Sequence, residues 1–363
     1  MISITLHELG HYIPAKRFGL KVPEFSVGFG PRIYSKKVSD LNIVIRALPI
    51  GGFVRILGMY PPGKGGSNLA IKAREISREE VKNQKGTPYY KLTTGKKITV
   101  LAAGPLMNLF VAAIALLLAV SVLGLPSNTN KISKITQCEK VCLKTTTPLF
   151  ENDKVVAVNN TSVKNWEEVL KEVSSRNDSS LLIERGESKL LVKVRKVEGA
   201  GIKLNPEQIL ERSEPSTVLS KIGILSASSF KAYLSIPKNL AEKLMQKSDQ
   251  LPATGVIGSA KITQNIVENE NSVHWKITLI LLLIALINIA LFVLNLLPIP
   301  PLDGGHIALA LIDGSRKGLA KIRKKVTPPD LDTARTLPFA YGVALTFALL
   351  SIYIAIQDIS KYT

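Results

Sequence analysis

The sequence predicts a multi-pass α-helical membrane protein of about four membrane segments, with a membrane-associated β-hairpin region and an inserted α+β domain. Three observations predict it. Hydrophobic residues make up 46% of the 363-residue chain, an ordinary share. They are gathered into long apolar runs near residues 98–125, 277–297 and 337–356. Polar, Lys-rich stretches with strand-like and helix-like patterning lie between the runs, which is the arrangement of spans with polar insertions.

The net charge of +19 suits anionic lipid or nucleic acid. No zinc finger, strongly basic helix or stacking platform accompanies it, so no nucleic-acid partner is expected. Lys and Arg beside apolar spans read instead as topology signals toward a lipid bilayer.

The first element, Met1 to about Ile13, is apolar and contains His7-Glu8-Leu9-Gly10-His11. It fits H-E-x-x-H, two metal ligands around a general base. Helical residues four apart lie about 40° apart around the axis and roughly 6 Å along it. His7 and His11 therefore face the same way and can share one Zn²⁺. Glu8 sits beside them, placed to take a proton from an attacking water. Five such residues also occur by accident on surfaces; the apolar neighbours Ile2, Ile4, Leu6, Leu9 and Ile13 favour a site. Only Met1–Leu6 precede His7, about 9 Å of helix, where a span needs about 20 residues. The natural start of this helix is expected to be missing. The N-terminus has neither the basic region nor the small-residue cleavage site of a signal peptide.

From Tyr12 to Lys97 there are 17 Lys/Arg against 5 Asp/Glu. Gly28–Pro31, Leu41–Ala47 and Gly51–Gly58 read as short strands punctuated by Gly and Pro. A strand with an open edge near a protease centre can hold an extended substrate by strand addition; a plain hairpin packed on the membrane domain fits the residues equally. Ala70–Gln84 reads as a charged, exposed helix. Ile98–Leu125 is a membrane helix carrying Gly104-Pro105 and Asn108. Gly and Pro permit close approach or a kink. Asn108 needs a polar partner in hydrocarbon, either on a neighbouring helix or near the metal ligands.

Residues 127–200 read as a small α+β module, with strands at Ile132–Ile135, Lys154–Val158, Leu181–Arg185 and Leu190–Val197 and a helix at Asn165–Val173. Cys138 and Cys142 have no second pair to complete a Cys₄ metal site, and read as two thiols or one local disulfide. Residues 201–276 form a linker, with Val218–Ala232 and Pro237–Gln246 as amphipathic or ordinary packed helices and Pro252–Gly255 as a turn.

Ile277–Leu297 is the most apolar run and carries Asn288 and Asn295 on one helical face. It leads into Pro298, Pro300, Pro301, Leu302-Asp303-Gly304-Gly305-His306. The prolines end the helix. An Asp at the edge of an apolar span is costly unless paired or metal-bound, which makes Asp303 the best third ligand; the alternative is an N-cap for a helix Gly305–Ile312. His306 as a fourth protein ligand would close the open position that hydrolysis needs. Residues 313–335 carry seven Lys/Arg and three Asp, and Leu337–Ile356 is the last span. Segment 126–276 has 22 Lys/Arg against 17 Asp/Glu. The denser basic loops place 12–97 and 313–335 inside and 126–276 outside.

These motifs, in this order (His7–His11, Gly28-Phe29-Gly30, Gly51–Val54, Gly104-Pro105 with Asn108, and Asn295 through His306), resemble the site-2 protease family of intramembrane zinc metalloproteases, in particular its bacterial regulator-of-sigma-E branch. The resemblance covers nearly the whole chain. It implies a membrane metalloprotease domain split into residues 1–126 and 277–363, a PDZ-like domain at 127–200 and a linker at 201–276. It assigns one Zn²⁺ to His7, His11 and Asp303 and the catalytic carboxylate to Glu8. It gives substrate contacts to Asn295 and to Gly52, Phe53 and Val54, and places Gly104, Pro105 and Asn108 near the site. It implies hydrolysis of single-span membrane proteins, such as an anti-sigma factor or remnant signal peptides, in the bacterial inner membrane. The PDZ-like domain would face the periplasm, and an upstream site-1-type protease would act on the same substrate. Asn152 and Asn160 stand where the family has Gly, so a steric gate fits this domain better than carboxylate binding. The competing reading from another class is a catalytically silent, PDZ-bearing membrane scaffold with a structural zinc, against which Glu8 argues; a metal transporter would need ionisable groups that the spans lack.

Overall fold

The computed structural model describes residues 1–83, 86–138, 141–246 and 272–362. The turn expected at 252–255 lies outside them. The chain divides into two compact units. One comprises Met1–Leu117, Ser216–Glu270 and Leu279–Thr363, and the other Leu118–Pro215 with Asn271–Thr278.

In the first unit, helix α1 (Ile2–Arg17) is followed by strands β1 (Glu24–Val38) and β2 (Leu41–Arg55), helix α2 (Asn68–Asn83) and helix α3 (Thr94–Leu117). Helices α5 (Thr217–Gln246), α6 (Val273–Asn295), α7 (Asp303–Ile322) and α8 (Leu337–Tyr362) come later in the chain. Among the described residues, three stretches are long and apolar enough to cross a membrane: Thr94–Leu123, Val273–Asn295 and Thr333–Tyr353. The α1 helix, at 16 residues, is about 24 Å long, short of a full hydrocarbon core. Phe110, Leu106, Leu345, Leu349 and Ile352 are exposed, the surface a lipid-facing helix presents.

The three short strands expected near Gly28, Leu41 and Gly51 are two long bent ones. Val27 pairs with both Ile45 and Gly52, and Phe25 with both Ile43 and Val54. The first half of β1 thus lies between the two halves of β2, and Gly52–Arg55 forms an outer edge. Positive φ at Gly28 and Gly51 bends the strands without ending them, so the glycines read as breaks are corners. Likewise α5 is one helix through Pro237 rather than two; a proline removes one hydrogen bond without obliging the helix to stop.

The second unit is a seven-stranded sheet in the order β3-β9-β4-β8-β7-β5-β6. Its strands are β3 (Leu125–Cys138), β4 (Val141–Thr145), β5 (Lys154–Val158), β6 (Thr161–Ser162), β7 (Asp178–Arg185), β8 (Ser188–Glu198) and β9 (Gly201–Glu211). Helix α4 (Trp166–Ser174) lays Trp166, Val169 and Val173 on a core of Ile132, Val155, Leu181, Ile183 and Val192. The spacing of three and four residues puts those side chains on one helical face. Asn165 caps α4 by accepting the Glu168 N–H at 3.0 Å, and Glu168 in turn accepts the Lys164 N–H at 2.7 Å. The stretch 201–211, read as linker, is strand β9 and pairs with β3 along its length. Its polar run and Pro206 hide the alternation that marks a strand. Cys138 and Cys142 are joined by a disulfide.

Candidate metal centre

The site is built where α1 crosses α3. At position 104 a Cβ would overlap the His11 ring, and at position 10 it would overlap the Ala103 carbonyl. Glycine at both allows the backbones to approach closely and leaves the His11 ring a seat against α3. Val100, Gly104 and Asn108 recur every four residues, so they form one stripe of α3, and each meets a group of α1. His11 Nδ1 donates to the Val100 carbonyl at 2.8 Å. Asn108 Nδ2 lies 3.1 Å from His7 Nδ1, while Asn108 Oδ1 is buried without a partner. Turning that amide over lets His7 Nδ1–H donate to Oδ1 and satisfies the orphan oxygen. Both imidazoles then carry their proton on Nδ1 and free Nε2 for a metal. One turn further along α1, Ser3 Oγ accepts from Asn288 of α6 at 3.0 Å.

The two Nε2 atoms stand 3.2 Å apart. Asp303 opens α7, and its Oδ2 lies 3.3 Å from His7 Nε2 and 3.4 Å from His11 Nε2. The Pro298–Pro301 turn folds the first turn of α7 back onto the end of α6. A Cβ at Gly304 would overlap the Leu296 carbonyl there, so only glycine lets Asp303 reach α1. Ligand atoms of His7, His11 and Asp303 lie within 4.8 Å of one another. Asp303 Oδ2 is buried and has no hydrogen-bond partner. A buried, unpaired carboxylate oxygen facing two imidazole nitrogens lacks a cation, and two imidazoles with one carboxylate suit Zn²⁺. The residues fit the group.

A cavity of about 290 Å³ opens on this centre. His7, Glu8, His11, Gly52, Phe53, Val54, Asn295 and Asp303 line it, together with His306. Glu8 is 8% exposed and accepts a hydrogen bond from the Val54 N–H on the outer edge of β2. Of the residues expected near the site, Gly104 and Asn108 contact the histidines as described. Pro105 is buried in α3. The Val100 carbonyl escaped the sequence reading because a backbone acceptor has no side-chain signature. Its four-residue step from Gly104 was the only signal. Met59, Ile56 and Leu101 are among the apolar residues of the wall.

Residues 1–327 match the family described as Peptidase family M50. Zinc metalloprotease Rip1 of Mycobacterium tuberculosis is 26% identical over 388 residues, covering 94% of this chain and 91% of the relative. Zinc metalloprotease RasP of Bacillus licheniformis is 25% identical over 382 residues, covering 86% of this chain and 88% of the relative.

Proposed function

The chain belongs to peptidase family M50, and we propose that this zinc metalloendopeptidase cuts single-span membrane proteins within the lipid bilayer, with Zn²⁺ held by His7, His11 and Asp303. The observation that carries the ligand set is the convergence of those three side chains within 4.8 Å at a buried, otherwise unpaired carboxylate. When bound, Zn²⁺ polarises the scissile carbonyl and makes a water more acidic.

Glu8 is the general base. It takes the proton of the attacking water and passes it to the leaving amine. The Val54 N–H holds the Glu8 carboxylate toward the cavity. Asn108 and the Val100 carbonyl keep Nε2 of each histidine free of its proton. Substrate lies along the outer edge of β2, because Gly52–Val54 line the cavity and, among the described residues, pair only with β1. An added strand hydrogen-bonds there through its backbone. A helical substrate must therefore unwind first, and Asn295 on the cavity wall offers amide groups to the exposed peptide.

The whole enzyme reads as an inner-membrane protein with four membrane segments, α1 being the first. Its substrates are anti-sigma factors or remnant signal peptides, trimmed beforehand by a site-1-type protease. The second unit reads as a PDZ-like domain on the extracytoplasmic side that excludes bulky substrates. The positive φ of Asn152 and Asn160 supports the PDZ-like fold of that unit and not its side or its role as a gate, because Asn tolerates the left-handed region that the family fills with Gly.

Glu8→Gln in the full chain, with a tagged single-span substrate, tests the function. Zinc content should stay at the wild-type level while cleavage falls by roughly 10²–10⁴-fold. Unchanged cleavage would remove Glu8 from the mechanism.

A further inference from the structure

The strand edge beside the cavity is held by charged groups that the hydrolytic steps do not use. Glu24, on β1, is 5% exposed. A carboxylate so buried needs a partner; Arg46 Nη2 lies 2.6 Å from its Oε1, and the more exposed Arg32 places Nη2 at 3.4 Å from its Oε2. The same guanidinium donates from Nε to Ser26 Oγ at 2.8 Å and from Nη1 to the Gly30 carbonyl at 2.9 Å. Its central carbon stands 5.3 Å from the centre of the Phe53 ring, within cation–π range. Phe53 also stacks on Phe29, with ring centres 6.2 Å apart.

These contacts meet on one face of the sheet. Glu24 and Ser26 are two apart on β1 and point the same way. Phe53 lies opposite Ser26 in the register and points with them. Arg46 sits on the first half of β2, Glu24 and Ser26 on β1, and Phe53 on the outer half of β2. One side chain therefore ties together the three segments that fix where the edge lies. Phe53 lines the cavity, and its neighbour Val54 supplies the N–H that Glu8 accepts. No hydrogen bond or ion pair joins Arg46 to His7, Glu8, His11 or Asp303 among the described residues.

We propose that Arg46, paired with Glu24, is a positioning residue that holds the edge Gly52–Val54 where its backbone can pair with an extended substrate. The inference rests on the protease reading above. It acts through strand position, so its signature is a loss of substrate backbone recognition with the metal centre intact. Lysine cannot replace Arg46, because an ammonium lacks the planar fork that serves Glu24, Ser26 and Gly30 together.

The test uses the full chain, zinc-loaded and reconstituted in lipid, with a synthetic single-span peptide substrate. A second set of peptides carries a backbone N-methyl group at each position flanking the scissile bond in turn, which removes one N–H. In the wild type, the methyl that blocks edge pairing should slow cleavage roughly tenfold. Arg46→Lys should keep its zinc and cut the parent peptide roughly tenfold more slowly in kcat/KM. The N-methyl group should then cost this variant little more, since the edge is already misplaced. Wild-type kcat/KM in Arg46→Lys, or an N-methyl effect of equal size in both proteins, overturns the proposal. Ser26→Ala removes one acceptor and leaves the ion pair, and it should show the same non-additivity at smaller size. It decides the matter if Arg46→Lys does not fold. No cleavage by the wild type overturns the protease reading itself, whereas wild-type cleavage with additive effects overturns only the role of Arg46.

Discussion

His7 and His11 present Nε2 to a common point because each ring is held from behind at Nδ1. For His11 the partner is the Val100 carbonyl at 2.8 Å; for His7 it is the Asn108 amide at 3.1 Å. Asn108 is wholly buried, so the bond is not exchanged for water and the ring orientation depends on it. Asn108→Ala should leave the His7 N–H unpaired and lower zinc affinity about 10–100-fold, read by competition with a chelating dye. Wild-type affinity in that variant would show that His7 needs no support from α3. The role of Asn108 was half legible in the sequence: a polar side chain in an apolar span demands a partner. Which partner it takes depends on the crossing of α1 and α3, and the sequence leaves both a neighbouring helix and the candidate metal ligands open.

At the scale of elements, the second unit has a charged turn at the start of β5. Asp153 is 1% exposed and bonds Arg185 through Nε and Nη2, both at 2.7 Å. It also accepts the Phe150 N–H at 2.9 Å. Burial raises the carboxyl, but these bonds outweigh it and hold the pKa below the ordinary 3.8. A depressed carboxyl contributes stability that is present above the unfolded value, near 3.8, and is lost as pH falls through the lower folded value. Asp153→Asn should flatten the acid limb of this unit's unfolding and lower its stability at neutral pH. Fluorescence of the buried Trp166, in a Trp275→Phe background, reads both. An unchanged acid limb would show that Asp153 carries none of the pH dependence. The neighbouring Asn152 has φ of +73°, which explains why Asn serves here without breaking the turn.

At the scale of the whole chain, the candidate centre joins the first helix to α7. Those elements are neighbours because α3 packs against both of them, meeting α1 at Gly10–Gly104, while α6 meets α1 at Ser3–Asn288. A cation at the three ligands would tie α1 to α7 directly. Binding to the folded state alone adds about 2.7 kcal/mol at a hundredfold excess over Kd. Chelation should therefore lower the unfolding temperature of the first unit and leave the acid transition of the second unchanged. An identical melting curve with and without chelator would argue against the three-residue ligand set.

The sequence by itself determined the apolar spans, the two candidate ligand motifs with Glu8 between the histidines, the β-rich region after α1 and the strand–helix alternation around Trp166. Each of these is written locally, in hydrophobic run length, in a spacing of four on a helix, or in alternation along a strand. Tertiary structure decided the rest. The double pairing of β1 with β2 depends on Gly corners, and glycine signals a bend and a break alike. Strand β9 pairs through its backbone, so a polar stretch with a proline carries no visible pattern. The Val100 carbonyl, the Arg46 contacts and the meeting of Asp303 with His7 and His11 are distances between residues far apart in the chain. Local periodicity cannot encode such distances; they exist only once the helices have packed.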